Sequence, residues 1–128
     1  MFTLEQIEDI HDRLGNEETL GAYLRELNTI GVATYDSYIT DGHSVYFGVD
    51  GQQLESLPAH EKFDVAAKSD REAFLGQMSL VEQGELGYVE MSRAFAECGV
   101  EKWTFDTRQM TLTYYGVDGS VMLAEVIE

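Results

Sequence analysis

The stretch "YFGVDG" at 46–51 returns as "YYGVDG" at 114–119, a separation of 68 positions. Carried upstream without a gap, the same offset lays "GVATYDSYITDGHSVYFGVDG" (31–51) over "GVEKWTFDTRQMTLTYYGVDG" (99–119), with seven of 21 positions identical. Aromatic character persists where identity fails: Tyr35 lies over Trp103, and Phe47 over Tyr115. Further upstream, Ile7 lies over Leu75, Ile10 over Met78, Leu20 over Tyr88, Tyr23 over Met91 and Leu27 over Phe95. Those apolar positions recur at helical spacing in both stretches. Chance supplies one hexapeptide easily and the register of a whole half hardly at all. The chain therefore reads as one domain, 1–128, built of two repeats at about 1–68 and 69–128.

Both repeats share a local grammar. Leu4, Ile7, Ile10 and Leu14 form an apolar stripe, preceded by Thr3 and Gln6 in capping-box spacing. Gly15-Asn16 ends that helix, with Asn16 placed to cap a second one carrying Leu20, Tyr23 or Leu24, and Leu27. In the second repeat, Ser69 and Glu72 have capping-box spacing before Phe74, Leu75, Met78 and Val81; Gly84 breaks the helix, and Tyr88, Met91, Phe95 and Cys98 follow. Gly31 and Gly99 suit the left-handed residue just past a helix end, with Val32 and Val100 packing back over one turn. Strands are expected at 32–39, 44–49, 100–106, 110–116 and 121–127. The first repeat's third strand falls either around Leu54 or at "KFDVAA" (62–67). Gly48 and Gly116 stand inside strand runs, where glycine marks a bulge or a close backbone approach. Asp50-Gly51 and Asp118-Gly119 are turn dipeptides. The repeated hexapeptide thus reads as a strand end plus a turn, with a ligand loop as the lesser reading. The predicted fold is α+β: a tandem helix-helix-strand-strand-strand unit forming an antiparallel sheet with helices packed on one face.

Charge narrows the function classes. The 24 acidic and 8 basic residues give a formal net charge of −16. Such a surface repels nucleic-acid phosphates and anionic membranes. It suits solubility, a saline habitat or a basic partner. The one cysteine, Cys98, excludes an internal disulfide. Acidic residues in "MFTLEQIEDIHD" argue against a signal peptide, and the longest apolar run, "VMLA" at 121–124, is far short of a membrane span. A cytoplasmic location is the expectation.

Helical pairs followed by "GVEKWTFD" and then "TLTYYG" resemble the YdfO-like family of small bacterial and prophage proteins of unknown function, some labelled phage envelope protein. The resemblance implies an α+β fold and brings no catalytic residues. It accounts neither for the acidic surface nor for the "GVDG" duplication.

Searching for chemistry yields little. His11, His43 and His60 lack metal-ligand spacing, and Asp9, His11 and Asp12 diverge by about 100° per residue on a helix. They read as a solvated face, and no metal or cofactor is expected. "DSYITDG" (36–42) lacks the alternating oxygens of a calcium loop. Cys98 falls at a helix C-terminus, where the dipole disfavours a thiolate, and reads as buried filler. Aromatic residues remain. Tyr35, Tyr46, Trp103 and Tyr114 are the candidate binding residues, and alternation along a strand sends Tyr46 and Phe47, like Tyr114 and Tyr115, to opposite faces.

The leading functional expectation is a non-enzymatic protein–protein interaction module, prophage-derived and dimeric through its sheet. The alternative is a small-molecule-binding domain or unrecognised enzyme with a site in the cleft between the repeats. A nucleic-acid-mimicking inhibitor would need a phosphate-like row of carboxylates, which the dispersed acids do not form.

Overall fold

The computed structural model describes residues 2–15 and 17–127. In chain order the elements are α1 (Leu4–Leu14), a short 3-10 turn (Glu17–Thr19), α2 (Leu20–Thr29), β1 (Val32–Tyr38), β2 (Ser44–Gly48) and β3 (Gln53–Glu55). The second series is α3 (Arg71–Glu82), α4 (Tyr88–Glu97), β4 (Val100–Asp106), β5 (Thr111–Gly116) and β6 (Val121–Val126). All six strands join one antiparallel sheet in the order β3-β2-β1-β4-β5-β6. The expected α+β architecture is the observed one, and the third strand of the first series is the one around Leu54. The segment 62–67 is irregular because its amides bond elsewhere: Phe63 donates to the Thr40 carbonyl and Ala66 to that of Ala96.

The offset that aligns the sequences also aligns the ladders. Val32 faces Gly48 and Thr34 faces Phe47, with a bulge between. Val100 faces Gly116 and Lys102 faces Tyr115, again with a bulge between. Across the junction, β1 and β4 run antiparallel with Asp36 opposite Thr104, residues that are themselves 68 positions apart. A pseudo-twofold axis therefore passes through that pair. Amides on either side obey it: Ile39 donates to Glu101, and Thr107 to Ala33.

Local chemistry explains the repeated glycines. Gly31 and Gly99 have φ of +104° and +74°, the left-handed setting that ends α2 and α4. Leu27, Phe95, Val32 and Val100 are all fully buried around those turns. Val49 then donates its amide to the Gly31 carbonyl at 2.9 Å, and Val117 to that of Gly99 at 3.0 Å. "GV" and "GVDG" are two sides of one joint, so the hexapeptide is conserved between repeats by backbone geometry. Asp50 and Asp118 close the turns by accepting the amides of Gln52 and Ser120.

Capping follows the expected pattern once and departs from it once. Thr3 and Gln6 form the reciprocal box that starts α1. At α3 the cap is Asp70, which accepts from the Ala73 amide at 3.0 Å. Ser69 is diverted to the joint, donating to the Gly99 carbonyl and accepting from the Val117 amide. A buried joint outranks an exposed helix start for that hydroxyl. The proposed cap at Asn16 lies outside the described residues.

The helices cover one face of the sheet. Ile7, Ile10, Tyr23, Leu24, Leu27, Phe74, Met78 and Phe95 pack there onto Tyr35, Tyr46, Phe105, Leu112, Tyr114 and Met122. The other face carries Thr34, Asp36, Tyr38, Val45, Phe47, Lys102, Thr104 and Tyr115, in alternation with the core positions. Phe47 and Tyr115 are half-buried there, while Tyr46 and Tyr114 point into the core. Among the described residues no helix is long and apolar enough to cross a membrane.

Candidate functional site

A cleft of about 520 Å³ opens on the helical side of the sheet, over the pseudo-twofold axis. One wall comes from α1, whose Ile7, Glu8, His11 and Asp12 share a face at steps of three and four. Leu20 and Tyr23 of α2 extend it, and Tyr88 and Met91 of α4 form the opposite wall. The sheet supplies the floor. All four sequence candidates, Tyr35, Tyr46, Trp103 and Tyr114, line this one cavity. A recess of about 290 Å³ beside it shares Leu20, Met91, Leu112 and Tyr114.

Under the 68-residue offset the lining falls into matched pairs: Tyr35 with Trp103, Tyr46 with Tyr114, Leu20 with Tyr88, Tyr23 with Met91, Ser37 with Phe105, and Ser44 with Leu112. The last three pairs have diverged in polarity. The first repeat contributes hydroxyls, whereas the second contributes apolar side chains. The Leu20–Tyr88 pair differs in the opposite sense, so hydroxyls and apolar side chains alternate around the cleft.

The first repeat's hydroxyls are wired to one another. Tyr35 Oη donates to Tyr23 Oη at 3.1 Å. Ser37 Oγ and Ser44 Oγ lie 2.8 Å apart, and the Ser44 amide donates to Ser56 Oγ at 2.8 Å. Tyr35 packs between Tyr46 and Phe105, with ring centroids 5.0 Å away on each side. Trp103 meets Tyr114 edge-on at 6.2 Å. Neighbouring rings thus lock the floor, and the cavity is largely pre-formed.

Burial sets the protonation of the phenols. It raises the Tyr35 hydroxyl well above its ordinary value, with the Tyr23 hydroxyl adding to the effect. Burial likewise raises Tyr23, Tyr46 and Tyr88. At Tyr46 the Ser44 hydroxyl opposes the shift, and the Glu8 carboxylate reinforces it. These groups stay neutral near pH 7 and act as hydrogen-bonding hydroxyls. None of the described lining residues is Lys or Arg.

Cys98 and His43 do not line the cleft, and His60 stands just behind its wall, edge-on to Tyr88 with ring centroids 5.8 Å apart. Cys98 is buried at the end of α4, and burial, followed by Asp70 and Glu97, raises its thiol pKa. His43 Nδ1 lies 2.5 Å from Asp41 Oδ1 in the β1–β2 turn, its ring stacked on Tyr38. His60 stacks on Phe63. Among the described residues no group of three or more His, Cys, Asp or Glu side chains is disposed to hold a metal ion.

Sequence reasoning missed Tyr23, Tyr88, Glu8 and the serine cluster as cleft residues. A usable signal was present in the repeat alignment: Ser37 over Phe105 and Ser44 over Leu112 break polarity where a shared core would keep it. Comparison with curated proteins gives no match. The profile described as "Protein of unknown function (DUF1398)" matches residues 8–126, nearly the full length of the chain. With that match, the protein belongs to the uncharacterised DUF1398 family.

Proposed function

We propose that this chain is a small-molecule-binding domain whose site is the cleft between its two repeats. The carrying observation is the pre-formed cavity of about 520 Å³ over the pseudo-twofold axis, whose lining mixes Tyr and Ser hydroxyls with apolar side chains. Its size and its few convergent polar groups on an aromatic background are those of ligand sites. The neutral phenols favour recognition over proton transfer, so binding is the better-supported activity. Trp103 is the single tryptophan and forms part of the floor, so its emission reports occupancy directly. Screening a library of small organic molecules by nuclear magnetic resonance should shift the Trp103 indole, Tyr35 and Tyr46 signals together. A screen whose hits all map outside the cleft overturns the proposal.

The open sheet face favours a second reading, a protein–protein contact. Phe47 and Tyr115 occupy equivalent half-buried positions there, with half-buried Tyr38 on the same face. Prophage origin, suggested by the YdfO-like resemblance, fits either reading. Light scattering on the wild type and on a Phe47→Asp/Tyr115→Asp variant separates them. Self-association lost in the variant supports an interface, and a wild-type monomer at high concentration removes pairing between copies.

A further inference from the structure

We propose that the cleft selects an organic cation: an amine or ammonium group carried on an apolar body, seated with its charge toward Glu8 and Asp12. This inference rests on the cleft being a binding site and names the class of ligand. Four observations converge on it. The formal charges along the wall are the Glu8 and Asp12 carboxylates, four residues apart on one face of α1. No described lysine or arginine lines the cavity to neutralise them or to receive an anion. Arg13 is engaged with Asp9 and Glu26, and His11, the imidazole between the two carboxylates on this wall, lies edge-on to Tyr23.

The second observation concerns the lining itself. Tyr23, Tyr88, Trp103 and Tyr114 surround the space with electron-rich rings, the environment that attracts ammonium groups. Thirdly, the phenol and serine oxygens of the first repeat can accept hydrogen bonds from an ammonium, whereas Phe105, Leu112 and Met91 opposite offer a dry surface for a hydrocarbon body. The fourth is the chain's net charge of −16, which raises the local concentration of cations around the mouth. An anionic ligand meets two carboxylates, with His11 as the one imidazole among the described lining residues and no lysine or arginine there to offset them. A neutral sugar would leave the apolar surface of Phe105, Leu112 and Met91 unused.

Three probes with one body and three heads test the assignment: phenylpropylamine, protonated at pH 7, phenylpropanol and phenylpropionate. Titrations followed by Trp103 emission and by calorimetry should rank the amine about tenfold above the alcohol, with the carboxylate weakest. In a Glu8→Gln/Asp12→Asn variant, shown to be folded by circular dichroism, the amine-to-alcohol affinity ratio should fall about fivefold or more. Equal binding of amine and alcohol in the wild type overturns the cation assignment and leaves the cleft as a site for neutral molecules. An amine preference that survives the double variant removes Glu8 and Asp12 as its source and overturns the proposal in that form. Failure of all three probes to alter Trp103 emission, with no heat of binding, overturns this inference and counts against the cleft reading beneath it.

Discussion

The phenols of the cleft couple their ionisation to the fold. Burial raises the folded-state pKa of Tyr23, Tyr35 and Tyr46 above the ordinary value of 10.0. A raised folded pKa means that the unfolded chain releases these protons first, so stability is full below pH 10 and falls as pH rises beyond it. Titration to high pH should therefore show tyrosinate absorbance from the buried rings appearing together with loss of the circular dichroism signal. Buried phenols ionising early, with the spectrum of the fold intact, would contradict this placement. The sequence made the opposition of Tyr46 and Phe47 legible, because successive strand residues face opposite sides. It did not reveal which of the two lay under the helices. That choice depends on side chains tens of residues away, such as Tyr23 on α2, and no local pattern encodes it.

Glycines of equal rank in the sequence are unequal in their elements. A methyl group at Gly31 would find open space, its closest neighbour being Phe2 Cδ1 at 3.9 Å. At Gly99 the same methyl would meet the backbone of Lys68 and Ser69, with the Ser69 Cα at 2.7 Å. Gly31→Ala should cost about 1–2 kcal/mol, the strain of a left-handed backbone alone. Gly99→Ala adds a collision with main chain that cannot swing away, and about 3 kcal/mol or more is expected. Urea denaturation of the two variants measures the difference; equal midpoints would refute it. Helix stripes, turn glycines and five of the six strands were readable because each rests on near neighbours. The first repeat's third strand was narrowed to Leu54 or 62–67, and the choice of Gln53–Glu55, like the role of Ser69, depends on partners supplied by the closed structure.

For the whole molecule, the decisive contact is the β1–β4 ladder, which joins the two repeats into one sheet. Separating the chain near residue 68 would expose both strands and open the aromatic packing of Tyr35 against Phe105. Each fragment alone should lose fixed tertiary structure while it stays monomeric, shown by weak near-ultraviolet dichroism at low concentration. Mixing the fragments in equal amounts should restore the native signal. Two fragments that each fold fully as monomers would refute that dependence.

The residues at the axis have a further consequence for which fragments can self-assemble. Asp36 is nearly buried, accepts from Thr104 Oγ1 at 2.6 Å and lies 3.3 Å from Lys102 Nζ. A homodimer of the first fragment using the same strand register would set two carboxylates face to face without that lysine, an arrangement that like charges oppose. A homodimer of the second would set threonine against threonine, a permissible pairing. A tandem of two second repeats should thus close into a sheet where a tandem of two first repeats resists it, and Asp36→Thr should lift that resistance.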